Sequence, residues 1–362
     1  MATNNNCAGC GCGPSIPEPC VTPPPICPDP QPCVEIVNAE CVIYTSAPIV
    51  CDEDIIVATN TSVDVAMNQI AAYFCGLEPE GGKFAGTNYV FVMADGTAVE
   101  NAAELQAAYD ELITRSPSAT NRMTVIAAPG YYNFGATTFT MTTEHIDLVS
   151  LDGNRSIIFN SSDPVGTINI VANDVFVKGV DVQTKNFTIA TNLNLLKVEN
   201  CKGGNESFGG DNSFQSNPIN ASGTFTNCTG GNASFGGYCT ASGTFTNCIG
   251  GTYSFGGAGI ASGIFVNCTG TTYLFGFTGI ASGTFTNCIA GDGFAGCGIA
   301  SGIFTNCIGG NFSFGNDGGP YTGTLSGKLY YCRITTGTFK TVSGGGITRL
   351  CLDGTNAENN QG

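Results

Sequence analysis

Ala241-Ser-Gly-Thr-Phe-Thr-Asn-Cys-Ile-Gly-Gly-Thr-Tyr-Ser-Phe-Gly256 is the stretch that decides the fold. Close copies precede and follow it. Their Asn-Cys pairs fall at Asn200-Cys201, Asn227-Cys228, Asn247-Cys248, Asn267-Cys268, Asn287-Cys288 and Asn306-Cys307, in steps of 27, 20, 20, 20 and 19 residues. A period near 20 indicates a solenoid, in which each repeat buries its apolar face only by stacking on its neighbours.

Within one copy the period is two. Phe245 points inward and Thr244 and Thr246 point outward. Asn247 breaks the strand, because Asn tolerates a left-handed bend. Cys248 then restarts it facing inward. Gly250-Gly251 turns the chain, and Ser254-Phe255-Gly256 is expected to open a third face. Three short faces per coil describe a parallel β-helix, with rungs about 4.8 Å apart. Stacking like on like predicts four ladders. One is Phe225, Phe245, Phe265, Phe285 and Phe304. The second is Phe235, Phe255, Phe275, Phe294 and Phe314. The third is Asn227, Asn247, Asn267, Asn287 and Asn306. The fourth is Cys201, Cys228, Cys248, Cys268, Cys288 and Cys307. Thiols stacked at rung spacing stand wider than the roughly 3.8 Å between Cβ atoms that a disulfide needs. The ladder cysteines are therefore expected to be reduced and buried as small hydrophobes.

Outside the repeat the chain divides by composition. Residues 1–33 form a Cys/Pro-rich extended arm with Cys7, Cys10, Cys12, Cys20, Cys27 and Cys33, too poor in apolar residues to bury a core. Thiolates this close suit zinc; disulfides or inter-chain cross-links are the reading preferred here, and a reduced, solvated arm is the third. Residues 34–76 read as a small α+β anchoring module, with strands near Val34–Tyr44 and Asp54–Ala58, a helix at 63–74, and Cys41, Cys51 and Cys75 as further cross-linking candidates. Residues 77–87 read as a linker. Residues 88–130 read as the cap of the β-helix, with a helix opened by Asn101 and Glu104 as a capping pair. Residues 131–354 carry the stacked coils, roughly ten of them, and 355–362 read as a frayed polar tail.

Charge limits the partners. Charged residues are 11 % of the chain and the net charge is −16. No Lys or Arg occurs between Lys202 and Lys328, so a basic footprint for nucleic acid is missing. No apolar run reaches the length of a membrane span. The first residues lack the charged and apolar segments of a secretory signal.

The segments Asp95-Gly-Thr, Ala103-Glu-Leu-Gln-Ala-Ala-Tyr109 and Val125-Ile-Ala-Ala-Pro-Gly-Tyr131, with the Asn-Cys bends, resemble the opening and coils of pectate-lyase-like right-handed parallel β-helix proteins over about residues 88–353. The resemblance implies a single-stranded right-handed β-helix capped by a helix. It leaves activity open, since that superfamily holds polysaccharide lyases and hydrolases as well as virus tailspikes and fibres.

Glycoside hydrolysis needs two carboxylates across the scissile bond. Asp152, Asp174 and Asp181 in the early coils are the candidates, with Arg155, Lys178, Lys185 and Lys197 as possible partners; the single His of the chain, His145, also falls in an early coil. The reading of these Asp residues as turn and surface carboxylates is the preferred one. The Thr-x-Thr pairs suggest an ice-binding or adhesin array, but Ile264, Val266 and Ile303 interrupt it, and Thr suits any exposed strand. The expectation is a non-enzymatic virion protein at the virion surface: a fibre, tail appendage or capsid decoration. It carries no cofactor and no catalytic or metal-binding residue. Residues 1–76 contact other virion proteins, and the rod projects as a homotrimer with host glycans as candidate ligands. Tyr253, Tyr273, Phe277 and Phe312 are the candidates for the trimer surface. A polysaccharide-degrading enzyme, and an extracellular or cell-surface location, are the alternatives.

Overall fold

The computed structural model describes residues 88–160, 168–190, 193–210, 220–310, 313–314, 324–335, 347–352 and 358–361, together with short strands between residues 43 and 85. The chain forms two compact units, 1–80 and 81–362. In the first, Ile43–Tyr44 pairs antiparallel with Thr61–Ser62, and Ile49–Cys51 with Asp54–Val57. The arm 1–33 and the helix read over 63–74 lie outside the described residues, as do Cys41 and Cys75.

The second unit is a parallel β-solenoid entered through one helix, Ala98–Thr114. Its cap is Thr97 and not Asn101. Thr97 Oγ1 accepts from the Glu100 N–H, and the Glu100 carboxylate accepts from the Thr97 N–H, so the capping box stands four residues earlier than the sequence suggests. Asn101 is buried one turn in. It accepts from the Gly96 N–H (3.0 Å) and donates to the Tyr131 carbonyl (3.1 Å), tying the helix to the Pro-Gly-Tyr step. Leu105, Ala108, Tyr109 and Leu112 cover the first coils. Tyr109 sets its ring edge-on to Phe139 and accepts from the Thr143 N–H. The left-handed Ser116 ends the helical run.

The rungs that follow stay in one register. The inward position passes from Val90 through Val125, Leu148, Val177 and Val198 to Phe225, Phe245, Phe265, Phe285 and Phe304, then to Leu329 and Thr348. The strict repeat thus continues a stack already begun with aliphatic residues. Rings in the Phe225 column lie 4.7–5.1 Å apart within 4° of parallel. A second column, Phe208, Phe235, Phe255, Phe275, Phe294 and Phe314, repeats this at 4.7–5.1 Å. The two columns meet edge to face, for example Phe245 on Phe255 at 82°. Stacked within and perpendicular between is the arrangement that aromatic quadrupoles favour.

Each regular coil carries three strands, such as Thr240–Ala241, Thr244–Thr246 and Ile249–Gly250. The third face is the Ile260–Ala261 type of strand, not Ser254-Phe255-Gly256. Phe255 and Gly256 both have positive φ and make a turn, with the Phe ring folded inward. Coils touch closely at Ser-Gly steps, where a Cβ on Gly263 would run into the Gly243 carbonyl oxygen. Volumes compensate across one corner. Ser254 stands over Gly250 and Leu274 over Gly270.

Two stretches read as linker and frayed tail contain strands. Lys83–Ala85 pairs antiparallel with Tyr89–Val92, and Glu358–Gln361 with Ile347–Leu352. Each covers the outer edge of a terminal rung, whose N–H and C=O groups have no other partner strand there among the described residues.

Phe265→Ala is expected to cost about 3–5 kcal/mol in urea unfolding. Phe255→Gly is expected to cost about 1 kcal/mol less than Phe255→Ala, because only the glycine relieves the left-handed backbone.

Candidate functional site

The charged side chains gather in the first coils. Arg122 precedes the rung Met123–Ala127 and reaches the two coils above it. Its Nε and Nη2 fork onto Asp147 at 3.2 and 2.7 Å, and its Nη1 holds Asp174 at 2.7 Å. Asp147 also accepts from the Phe176 N–H. His145, at φ 64°, places Nδ1 3.2 Å from the other Asp174 oxygen. Hydrogen bonding from Arg122 holds Asp174 below the usual carboxylate range, and the Asp147 carboxylate raises Arg122. A fork on one carboxylate and a single bond to a second clamp three successive coils.

The three aspartates singled out from sequence do not share a site. Asp152 accepts from Ser150, Ser156 and the Asn154 N–H inside its own turn, which lowers its pKa. Asp174 belongs to Arg122. Asp181 accepts from the Gln183 N–H and from Lys202. Lys178 pairs with Glu199 at 2.9 Å, and Arg155 donates to the Asn227 carbonyl. None of these contacts joins one aspartate to another. Arg122 carries no repeat signal, so its part was invisible in the sequence. Among the described residues no cluster of three or more His, Cys, Asp or Glu could hold a metal ion. No helix there is long and apolar enough to cross a membrane.

The asparagines form an outer ridge. Asn200, Asn227, Asn247, Asn267, Asn287 and Asn306 all have φ of 52–55°. Asn247, Asn267 and Asn287 each donate from Nδ2 to the Oδ1 of the asparagine one coil below, at 3.0–3.1 Å. At the lower end of this ladder, Asn200 donates to the Gly153 carbonyl and Arg155 reaches Asn227, so the turn 151–156 covers it.

Behind the ridge stand the buried thiols Cys201, Cys228, Cys248, Cys268, Cys288 and Cys307. The column continues through Cys332 to Cys351. The Cys268 Sγ lies 3.3 Å from the Phe245 carbonyl of the coil below and 3.5 Å from the Val266 carbonyl, and its neighbours repeat the pattern. Burial pushes the thiols of Cys201, Cys228, Cys248 and Cys268 well up, which keeps them neutral. Cys239 and Cys297 lie off this column. Cys7, Cys10, Cys12, Cys20, Cys27 and Cys33 lie outside the described residues. Cys51 sits on the Ile49–Cys51 strand.

The aromatic residues picked as candidates for a trimer surface pack on one another. Tyr253 stacks on Tyr273 at 5.0 Å, Phe277 is buried against Tyr273 at 4.4 Å, and Phe312 lies outside the described residues. The exposed apolar side chains of the regular coils are isoleucines, among them Ile249 and Ile264, each about half exposed.

Comparison with protein-family models, with curated proteins and with solved structures finds no match.

Two measurements check these contacts. Native protein is expected to leave the ladder thiols unreactive to a thiol reagent, whereas denaturation without reductant releases at least six; none released would mean that they are oxidised. Asp174 has a depressed native pKa, so its stabilisation is present above the unfolded value of about 3.9 and is lost as pH falls through the native one. Asp174→Asn is therefore expected to lower Tm at pH 7 and to flatten the acid-side decline in Tm below about pH 4.

Proposed function

We propose that the chain is a non-enzymatic structural protein of a virion, a fibre, tail appendage or capsid decoration. Its solenoid serves as a projecting rod, and residues 1–76 attach it to other virion proteins. The observation that carries this reading is the unbroken inward column from Val90 to Thr348. Nearly every inward side chain along it serves stacking, and the regular coils present Thr, Ser, Asn and Ile outward. Stability that accumulates coil by coil suits an element whose task is length and durability.

Two further features favour it. The ionic groups of the early coils are engaged with one another across rungs, so they act as clamps. The Cys/Pro-rich start differs in composition from the rod and provides a separate attachment element. The rod works as a homotrimer, and host surface glycans are its candidate ligands. The likeness of the Asp95–Tyr131 segments to pectate-lyase-like β-helices is compatible with this, because virus fibres share that fold.

Particles purified from the source are expected to contain the chain by mass spectrometry, and antibodies to residues 200–314 are expected to label projections on their surface in electron micrographs. Particles that lack the chain, or soluble protein that depolymerises polysaccharide and loses that turnover in Asp174→Ala, would overturn the reading.

A further inference from the structure

At one corner of the regular coils the repeat departs from itself. Ala233, Tyr253 and Tyr273 hold one position in successive coils, each donating its N–H to the coil above, at Thr252, Thr272 and Asp292. Gly293 follows them. All four have positive φ, at 52, 59, 54 and 101°. Glycine takes such a bend without steric cost, whereas a tyrosine there is strained. Full burial offsets the same strain at Phe255 and Phe275, but Tyr253 and Tyr273 are partly exposed. Strain that burial does not offset points to a chemical role. The two rings lie 5.0 Å apart at 27°, and Tyr238 reaches Tyr253 at 5.3 Å and 35°. Phe277 packs on Tyr273 and ends the row with a ring that has no hydroxyl. Among the described residues no group hydrogen-bonds the Tyr253 or Tyr273 hydroxyl. Burial and the two neighbouring phenols push Tyr253 up, so its hydroxyl stays neutral.

We propose that Tyr253 and Tyr273 are a site of oxidative cross-linking, joined as dityrosine by a one-electron oxidant such as a peroxidase acting with hydrogen peroxide. Each phenol gives up one electron and its hydroxyl proton. The two phenoxyl radicals couple through ring carbons next to the hydroxyls, which forms one carbon–carbon bond. Each coupled carbon then loses its proton and each oxygen regains one. Hydrogen peroxide takes up the two electrons and two protons and leaves as two waters. Tyr273 is the partner of Tyr253 because its contact is shorter and flatter than that of Tyr238. Overlaid rings on neighbouring coils bring like carbons together, as the register does for every ladder of the stack. The ladder thiols, which oxidise more readily, are buried behind the asparagine ridge. The bond ties one coil to the next and closes a loop of 20 residues. It constrains the unfolded chain as a disulfide does. The inference does not depend on the virion reading.

The test oxidises the folded full-length protein with peroxidase and dilute hydrogen peroxide. Dityrosine fluorescence is expected to appear. Mass spectrometry of a pepsin digest is expected to find the peptides of Tyr253 and Tyr273 joined, two hydrogens lighter than their sum. Protein oxidised in urea is expected to give a severalfold smaller yield of that pair, because the coils no longer hold the rings together. Tyr273→Phe keeps the stacked ring, so its far-ultraviolet circular dichroism is expected to match wild type while most of the dityrosine fluorescence is lost. Folded wild type without the linked pair overturns the proposal. So does a yield that urea leaves unchanged, a pair confined to covalent multimers on a denaturing gel, or fluorescence undiminished in folded Tyr273→Phe.

Discussion

Everything in this molecule depends on rungs that hydrogen-bond in parallel register about 4.8 Å apart. That spacing places each side chain above its equivalent, so a residue good at stacking on itself is favoured at every repeat. Phe meets the condition through parallel rings, Asn through amide-to-amide bonds, and Cys through its small size and a nearby carbonyl. The same register makes changes in coil length costly except at corners. The 19-residue step is absorbed between Ala290 and Phe294, one residue shorter than Gly270 to Phe275. The left-handed residue then moves from Phe to Ala295. The ring of Phe294 still reaches its column.

The corners carry the strain that the register imposes. Asn at positive φ is tolerated, because a short polar side chain can bond locally there. Phe and Tyr at positive φ are not ordinarily tolerated, yet Phe235, Phe255, Phe275 and Phe314 adopt it, as do Tyr253 and Tyr273. About 1–2 kcal/mol per residue is the usual penalty. Full burial of a Phe ring between two parallel neighbours offsets it, since burying such a side chain contributes about 1.5–3 kcal/mol. The turn persists because the column holds the ring, and the column is continuous because the turn aims it.

Legibility followed repetition. The solenoid, two of its three faces and the partners within each ladder could be read from Asn200 to Phe314, because the same residue types recur at one period. The third face was misplaced, since Ser-Phe-Gly resembles a strand start and nothing local reveals a left-handed Phe. The helix cap was placed at Asn101, although Thr97 and Glu100 form an equally good pair; the burial that distinguishes them comes from Tyr131, thirty residues on. The Arg122 clamp was hidden because its partners sit one and two coils away at positions that do not repeat. The terminal strand Glu358–Gln361 was hidden because it is polar and lacks an apolar alternation that would mark it as a strand.

Those terminal strands bear on how such a rod meets its own kind. A parallel stack is open at both ends, and a second copy could extend it rung upon rung without limit. Lys83–Ala85 and Glu358–Gln361 each run against the grain of the rung they cover. A parallel coil from another molecule would find the edge occupied by a short strand of opposite direction, which is a common way of blunting an edge. Rung-upon-rung extension at these two edges is thereby disfavoured. The inner columns leave the outward positions free to differ from coil to coil, as Thr244, Ile264, Thr284 and Ile303 do above an unchanging Phe. A fold that caps its terminal rungs and frees its outward positions separates what the stack must keep constant from what its surface can vary.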